Sequence, residues 1–155
     1  MKLSEHFQKA VQAFQAGEWK ESEHICYSIL QSIPEHSDVL HLLGLVLYQQ
    51  GNKQQAVIYL KKAILQTSTI PHYYNNLANI LRELEQWEEA QKSYEKALNL
   101  NPNFPEVYHN LGILYQQQDK IEFAIESYTK AIELQPDYTE AKSNLANLYY
   151  VLGFN

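Results

Sequence analysis

Residues 105–138 read PEVYHNLGILYQQQDKIEFAIESYTKAIELQPDY, and this stretch decides the fold. It contains two helical segments separated by a short polar turn around Asp119. Pro136 follows the second segment, where it would stop the helix from propagating. Small residues stand where two paired helices have to approach closely, at Gly112, Ala124 and Ala131. The stretch therefore predicts a helix–turn–helix unit.

The same unit recurs along the chain with a period of 34 residues. One row of small residues consists of Ala10, Gly44, Ala78, Gly112 and Ala146. Two further rows keep this spacing, Ala56, Ala90 and Ala124 in one and Ala63, Ala97 and Ala131 in the other. Because a single helix pair cannot bury its apolar side alone, such units stack into a solenoid with a shared core. At Gly112 we expect a close helix contact that leucine would overpack and that alanine, a better helix former, would tolerate or improve.

The motif of this unit resembles the tetratricopeptide repeat family. Its aromatic, Leu-Gly, aromatic, Ala, aromatic, Ala, Pro series is found at Tyr108, Leu111, Gly112, Tyr115, Ala124, Tyr128, Ala131 and Pro136. The resemblance implies an all-α fold, a right-handed solenoid of antiparallel helix pairs with four repeats plus one terminal helix. The whole chain, 1–155, would be a single array. Its repeats would be 3–36 (divergent), 37–70, 71–104 and 105–138, followed by a half repeat at 139–155.

The repeat register also predicts the individual helices. We expect them near 3–16, 19–31, 37–50, 53–66, 71–84, 87–100, 105–118, 121–134 and 139–152.

Composition restricts the class of protein further. The 155 residues are 45% apolar and carry a net charge of -6, which argues against wholesale disorder and against nucleic acid as the main ligand. The single cysteine, Cys26, falls at a core position, so we expect it to be buried in a protein of a reducing, cytoplasmic compartment. The chain begins without the apolar run of a signal peptide, and we expect no membrane association because no window approaches about 18 apolar residues.

Asparagines stand out because they disfavour a helix interior by roughly 0.6 kcal/mol relative to alanine. Asn76, Asn110 and Asn144 are 34 residues apart, on the first helix of three successive repeats, and Asn79 and Asn147 lie one turn further on. The row resembles the asparagine ladder in the repeat arm of O-linked N-acetylglucosamine transferase-like proteins, which implies contact with a peptide backbone on the concave face. The alternative is that these amides hydrogen-bond between neighbouring helices or face water. The candidate peptide-groove residues are Asn75, Asn76, Asn79, Arg82, His109, Asn110, Asn144 and Asn147.

Charge in this groove favours some partners over others. Some members of the family clamp an acidic peptide C-terminus with lysine and arginine, but Asn75, Glu140 and Asn144 stand where those cations belong. Glu106 adds negative charge, and Arg82 is the one obvious cation. We therefore expect a protein or peptide partner that is neutral or basic rather than acidic.

No pattern indicates an enzyme, a cofactor or a metal site. The five glycines lie singly, so no phosphate-binding loop is present, and no Cys-His spacing suggests zinc. We expect a non-catalytic interaction scaffold. Two alternatives remain at this point: a substrate-recognition arm of a larger modifying enzyme such as a glycosyltransferase, and a self-assembling structural spacer.

The helix near 139–152 carries more apolar side chains than one neighbour can cover, namely Leu145, Leu148, Tyr149, Val151 and Leu152. Part of the set must pack on residues 121–134, and the rest would meet water unless something covers it. Either the chain is a fragment whose next helix is missing, or this helix pairs with a second copy. We expect the homodimer, because two-fold closure covers both patches at once.

Overall fold

The computed structural model describes residues 1–153 and places nine α-helices within them. These are α1 Leu3–Gln15, α2 Trp19–Ser32, α3 Ser37–Gln49, α4 Lys53–Gln66, α5 Pro71–Glu83, α6 Trp87–Leu100, α7 Pro105–Gln117, α8 Ile121–Leu134 and α9 Thr139–Val151. No residue in 1–153 lies in a β-strand. The all-α class is confirmed, and each predicted helix end lies within one residue of the observed end.

The turn inside each helix pair has three residues, and its middle residue adopts a left-handed backbone conformation. Gly17 and Gly51 fill this position in the first two pairs, with φ of 78° and 85°. Glu85 and Asp119 fill it in the next two pairs, both with φ of 58°. The following N–H then donates to a carbonyl in the last turn of the first helix, as from Lys120 to Tyr115 at 2.8 Å. This closure satisfies a carbonyl at the helix end and reverses the chain.

The small residues in phase are close contacts between paired helices. Ala10 and Ala78 are completely buried, and a Cβ atom added to Gly112 would lie 2.5 Å from Cε1 of Tyr128. The expected close contact at Gly112 is therefore confirmed. The packing argues against the expectation that alanine would improve this position, because Tyr128 is itself fully buried and its ring would have to shift.

Stacking places the first helices side by side. A continuous core runs from Ala10 in α1 to Leu114 in α7, and α3 packs against α5 as α5 packs against α7. Cys26 is buried in this core, as predicted. The helices α3, α5, α7 and α9 share one surface, on the side away from α4, α6 and α8. We call this surface the groove face. No helix in the described residues is long and apolar enough to cross a bilayer.

Candidate functional site

Three hydrogen-bonded rungs connect successive first helices across the groove face. The amide nitrogen of Asn76 donates to Nε2 of His41 over 3.0 Å, and that of Asn144 donates to Nε2 of His109 over 3.0 Å. Between them, Asn110 donates to Oδ1 of Asn75 over 3.0 Å. In each rung the two partners are 35 residues apart, because the donor stands one position later in its repeat than the acceptor.

These rungs change the interpretation of the asparagine row. For Asn76, Asn110 and Asn144 the structure shows the alternative named above, hydrogen bonds between neighbouring helices. Each of them joins its helix to the preceding first helix. A primary amide has two N–H donors and an oxygen with two lone pairs, so one rung leaves most of that capacity to other partners. Ligand contact by the row stays a prediction.

The two histidines accept through Nε2, which places their ring proton on Nδ1. The His41 ring stacks on Tyr73 with 4.3 Å between ring centroids, and burial lowers the pKa of His41 to about 4. Burial also lowers the pKa of His109, whose Nδ1 lies 3.2 Å from the hydroxyl of Tyr138. Both rings are therefore neutral at physiological pH and keep their rungs.

Asn75 and Asn110 lie deeper than the other predicted groove residues, with 1% and 8% of their surface exposed. The amide nitrogen of Asn75 donates to Oε1 of Glu106 over 3.2 Å. The pair therefore links α5 to α7 from beneath the surface and holds one carboxylate at the edge of the groove face. Asn147 lies at the opposite extreme, exposed on α9.

A second cluster surrounds Arg82 in the middle of the groove face. Nε of Arg82 donates to the hydroxyl of Tyr94 over 3.4 Å, and that hydroxyl donates to Oδ1 of Asn79 over 2.6 Å. Tyr94 is fully buried, and burial raises its pKa to about 12, so it keeps its proton. Nη1 of Arg82 lies 3.5 Å from Oε1 of Gln117 on α7. The hydroxyl of Tyr94 thus connects Arg82 with Asn79, and contact of either residue with a ligand stays a prediction.

Comparison with known proteins assigns the family. Family models match residues 78–119 as "TPR repeat", residues 105–138 as "Tetratricopeptide repeat", and residues 15–97, more than half of the chain, as "Anaphase-promoting complex, cyclosome, subunit 3". The chain belongs to the tetratricopeptide repeat family. The repeat signature predicted from the 34-residue period is thereby confirmed.

Solved structures of similar fold include other tetratricopeptide repeat proteins. The crystal structure of MamA matches with a TM-score of 0.85 at 21% identity, over 99% of this chain and 86% of that chain. Pseudomonas aeruginosa pilF matches with a TM-score of 0.89 at 23% identity, over 97% and 68%. YrrB, described as a TPR protein with an unusual peptide-binding site, matches with a TM-score of 0.81 at 22% identity, over 89% and 71%. At these identities the likeness establishes the fold.

Two cavities lie on or beside the groove face of this tetratricopeptide repeat array, the first among α7, α8 and α9 and the second at the N-terminal ends of α7 and α9. One, of about 470 Å³, is lined by Ile113, Gln116, Gln117, Tyr128 and Asn144. The other, of about 440 Å³, is lined by Phe104, Pro105, Glu106, Gln135, Asp137, Tyr138 and Glu140. A larger cavity of about 1420 Å³ lies elsewhere, beside α2. Among residues 1–153, no three His, Cys, Asp or Glu side chains lie close enough together to hold a metal ion.

Gln116 and Gln117 are groove residues that the sequence analysis missed. Tyr128 donates to Oε1 of Gln116 over 2.9 Å, and Gln117 meets Arg82. A signal for them existed, because Gln116 follows Arg82 by one period of 34 residues. Glutamine carries the same side-chain amide group as asparagine.

Proposed function

We propose that this tetratricopeptide repeat array is a non-catalytic protein-interaction scaffold that binds an extended peptide or protein segment along the groove face. The observation that carries the proposal is the row Asn76, Asn110 and Asn144, in which one N–H of each amide is bonded to the preceding helix. The bond fixes the amide plane, so the remaining N–H and oxygen are oriented before a ligand arrives. A peptide bond needs such a donor and acceptor together.

The spacing of the row suits an extended chain. Packed helices lie about 8–10 Å apart, and an extended peptide rises about 3.3 Å per residue, so one rung corresponds to about three ligand residues. Asn76 and Asn144 are half-buried and flank the deeper Asn110. A ligand segment that contacts both outer amides would therefore contain on the order of six to seven residues. The likeness to YrrB, described as having a peptide-binding site, supports this use of the fold.

The charge of the groove face favours a neutral or basic ligand. Glu106, Asp137 and Glu140 surround one of its two cavities. Two carboxylates offset the positive charge of Arg82. Glu83 and Glu106 lie near enough to the Tyr94 hydroxyl to raise its pKa, and Arg82 donates to the same hydroxyl. An acidic ligand would meet these carboxylates, and the repulsion would weaken its binding.

A peptide array incubated with the purified chain tests the proposal. We expect extended neutral or basic segments to bind, and the triple variant Asn76→Ala, Asn110→Ala, Asn144→Ala to bind them more weakly by roughly 1 kcal/mol for each bond lost. The triple variant also loses three rungs, so its stability should fall.

A matched control separates binding from rung loss. The double variant His41→Phe, His109→Phe removes two rung acceptors but keeps every asparagine, and phenylalanine can still stack on Tyr73. We expect it to be less stable and to bind selected peptides more weakly than the parent, because two amides lose their fixed orientation, but more tightly than the triple variant, because every amide is still present. Equal binding by the triple asparagine variant and the parent would contradict the proposal.

We also propose that α9 mediates a homodimer. Ala146 is in phase with Ala10, Gly44, Ala78 and Gly112, which are buried against the second helix of their pair, but Ala146 is exposed. Tyr150 and Val151 beside it are 76% and 80% exposed. The face of α9 that corresponds to these paired faces is therefore open within residues 1–153. A two-fold axis would place α9 of a second copy against it in the antiparallel orientation that paired helices adopt.

A further inference from the structure

The guanidinium of Arg82 sets the direction of the hydrogen bonds around it. Arginine carries N–H donors, has no acceptor and stays charged at any pH at which the protein is folded. When Nε of Arg82 donates to the hydroxyl of Tyr94, that hydroxyl must direct its own hydrogen elsewhere. It donates to Oδ1 of Asn79 over 2.6 Å. The NH₂ group of Asn79 takes no part in this bond.

On α7, the next first helix, two side-chain amides also turn their oxygen toward a donor. Nη1 of Arg82 can only donate, so Gln117 must turn Oε1 toward it, at 3.5 Å. Gln116 turns its Oε1 toward the hydroxyl of Tyr128, at 2.9 Å. Three amides of α5 and α7 therefore have their oxygen engaged and their NH₂ group available. Gln116 and Gln117 both line the cavity of about 470 Å³ on the groove face.

This polarity is opposite to that of the rungs. Asn76 and Asn144 use an N–H to bond the preceding helix, so their oxygen is available. The groove face thus has unbonded amide oxygens along the rungs and, beside them, a cluster of amides that offer only N–H donors. A peptide main chain presents both the N–H groups and the C=O groups that these would bind.

We infer that Arg82 is a positioning residue that orients Asn79 and Gln117 as donors, so that this part of the groove face binds main-chain carbonyl oxygens of an uncharged ligand segment. The inference rests on the proposed function, since it specifies which atoms of a bound segment are recognised. A neutral oxygen suits the site better than a carboxylate, because Glu83 and Glu106 lie near the Arg82–Tyr94 pair.

An acceptor-only probe tests the inference without a selected peptide. Acetyl-pentasarcosine dimethylamide has carbonyl groups but no N–H group and no charge. We expect it to shift the side-chain NH₂ resonances of Asn79, Gln116 and Gln117 in NMR titrations of the full chain. The resonance of Gln91, whose amide donates to Glu95 on α6, serves as an internal reference that should not move.

The variant Arg82→Lys distinguishes direction from charge. Lysine keeps the positive charge but lacks the planar fork that reaches Tyr94 and Gln117 together. We expect the probe to bind this variant about tenfold more weakly, as loss of about one oriented hydrogen bond implies. We also expect the NH₂ resonances of Asn79 and Gln117 to shift in the ligand-free variant, and its circular dichroism spectrum and melt should confirm that it folds.

Equal probe binding by the parent and Arg82→Lys would overturn the inference, and so would NH₂ resonances that do not respond to the probe. Tighter binding of sodium acetate to the same groups would also overturn it, because that result indicates a carboxylate site. Failure of the proposed function can be told apart from these. The triple asparagine variant with an array-selected peptide tests the proposed function, whereas parent and Arg82→Lys with the probe test the inference. If the triple variant binds the peptide as the parent does while Arg82→Lys still weakens probe binding, the groove proposal alone fails.

Discussion

Glu85 adopts a backbone conformation that a glycine would adopt more easily. Its φ is 58°, and the turns of the first two pairs have Gly17 and Gly51 at the corresponding position. For a residue with a Cβ atom this conformation costs roughly 1–2 kcal/mol, part of which glycine recovers. We expect Glu85→Gly to raise the free energy of unfolding by about 0.5–1 kcal/mol in urea titrations. Lys96→Gly is the control, because Lys96 lies exposed inside α6, where glycine disfavours the helix and should lower the free energy of unfolding instead.

Gly112 presents the opposite case, in which the missing Cβ atom is required by packing. A Cβ atom there would approach Cε1 of Tyr128 to 2.5 Å, so we expect Gly112→Ala to lower the melting temperature. Gly112→Leu should destabilise by about 1–3 kcal/mol or more through overpacking. Glu126→Leu, on the exposed face of α8, is the control and should melt close to the parent. An unchanged melt for Gly112→Leu would show that the contact with Tyr128 is not rigid.

For single residues, the sequence predicts the position within the repeat better than it predicts the hydrogen-bond partner. It placed Asn76, Asn110 and Asn144 in one row from their 34-residue spacing, but it did not show that each bonds a residue 35 positions earlier. That offset depends on how consecutive repeats are rotated against each other, which is a property of packing. The burial of Asn75 follows from the same rotation and was equally hidden.

Helices are the elements that the sequence specifies most fully here. Some ends are marked locally, by a glycine in the turn such as Gly51 or by a proline at the first helical position, as in Pro71. The turn at Glu85 has no such residue, and there the 34-residue register predicts the ends, so all predicted ends agree with the structure to within one residue. The contact between Arg82 and Gln117 depends on how α5 packs against α7, which neither signal shows.

The buried His41, which accepts the rung from Asn76, should make the free energy of unfolding depend on pH. His41 accepts from Asn76, and burial lowers its pKa from 6.5 to about 4, with Asp38 and His72 as its charged or titratable neighbours. A lowered histidine pKa means that the unfolded chain binds the proton more readily. The stabilisation is therefore present above about pH 6.5 and is lost as pH falls toward 4, by on the order of 2–3 kcal/mol.

Urea titrations between pH 7.5 and 4.5 measure this dependence. Carboxylates titrate in the lower part of that range as well, so the informative quantity is the difference between the parent and His41→Phe. We expect the free energy of unfolding to fall less steeply in the variant. Parallel pH profiles would show that His41 is not responsible.

Across the whole molecule, stability comes from contacts between neighbouring helices. The core from α1 to α7 is continuous, yet each helix meets only helices close to it in sequence. In an array of this kind an uncovered end helix lacks half of the contacts that interior helices have. α9 fits that description within residues 1–153, since only Ala141 and Leu148 of its side chains are buried.

The proposed homodimer through α9 gives the last prediction. We expect sedimentation velocity at increasing concentration to show a monomer–dimer equilibrium, because pairing removes Tyr150 and Val151 from water. Val151→Lys should shift the chain toward monomer, since a lysine ammonium would have to be desolvated in the contact. Leu65→Lys is the matched control: Leu65 is 80% exposed, as is Val151, but it lies on α4, far along the array, and its replacement should leave the equilibrium unchanged. If both lysine variants and the parent remain monomeric at high concentration, α9 does not pair with a second copy. If both variants shift the equilibrium equally, the association is unspecific and the dimer does not form through α9.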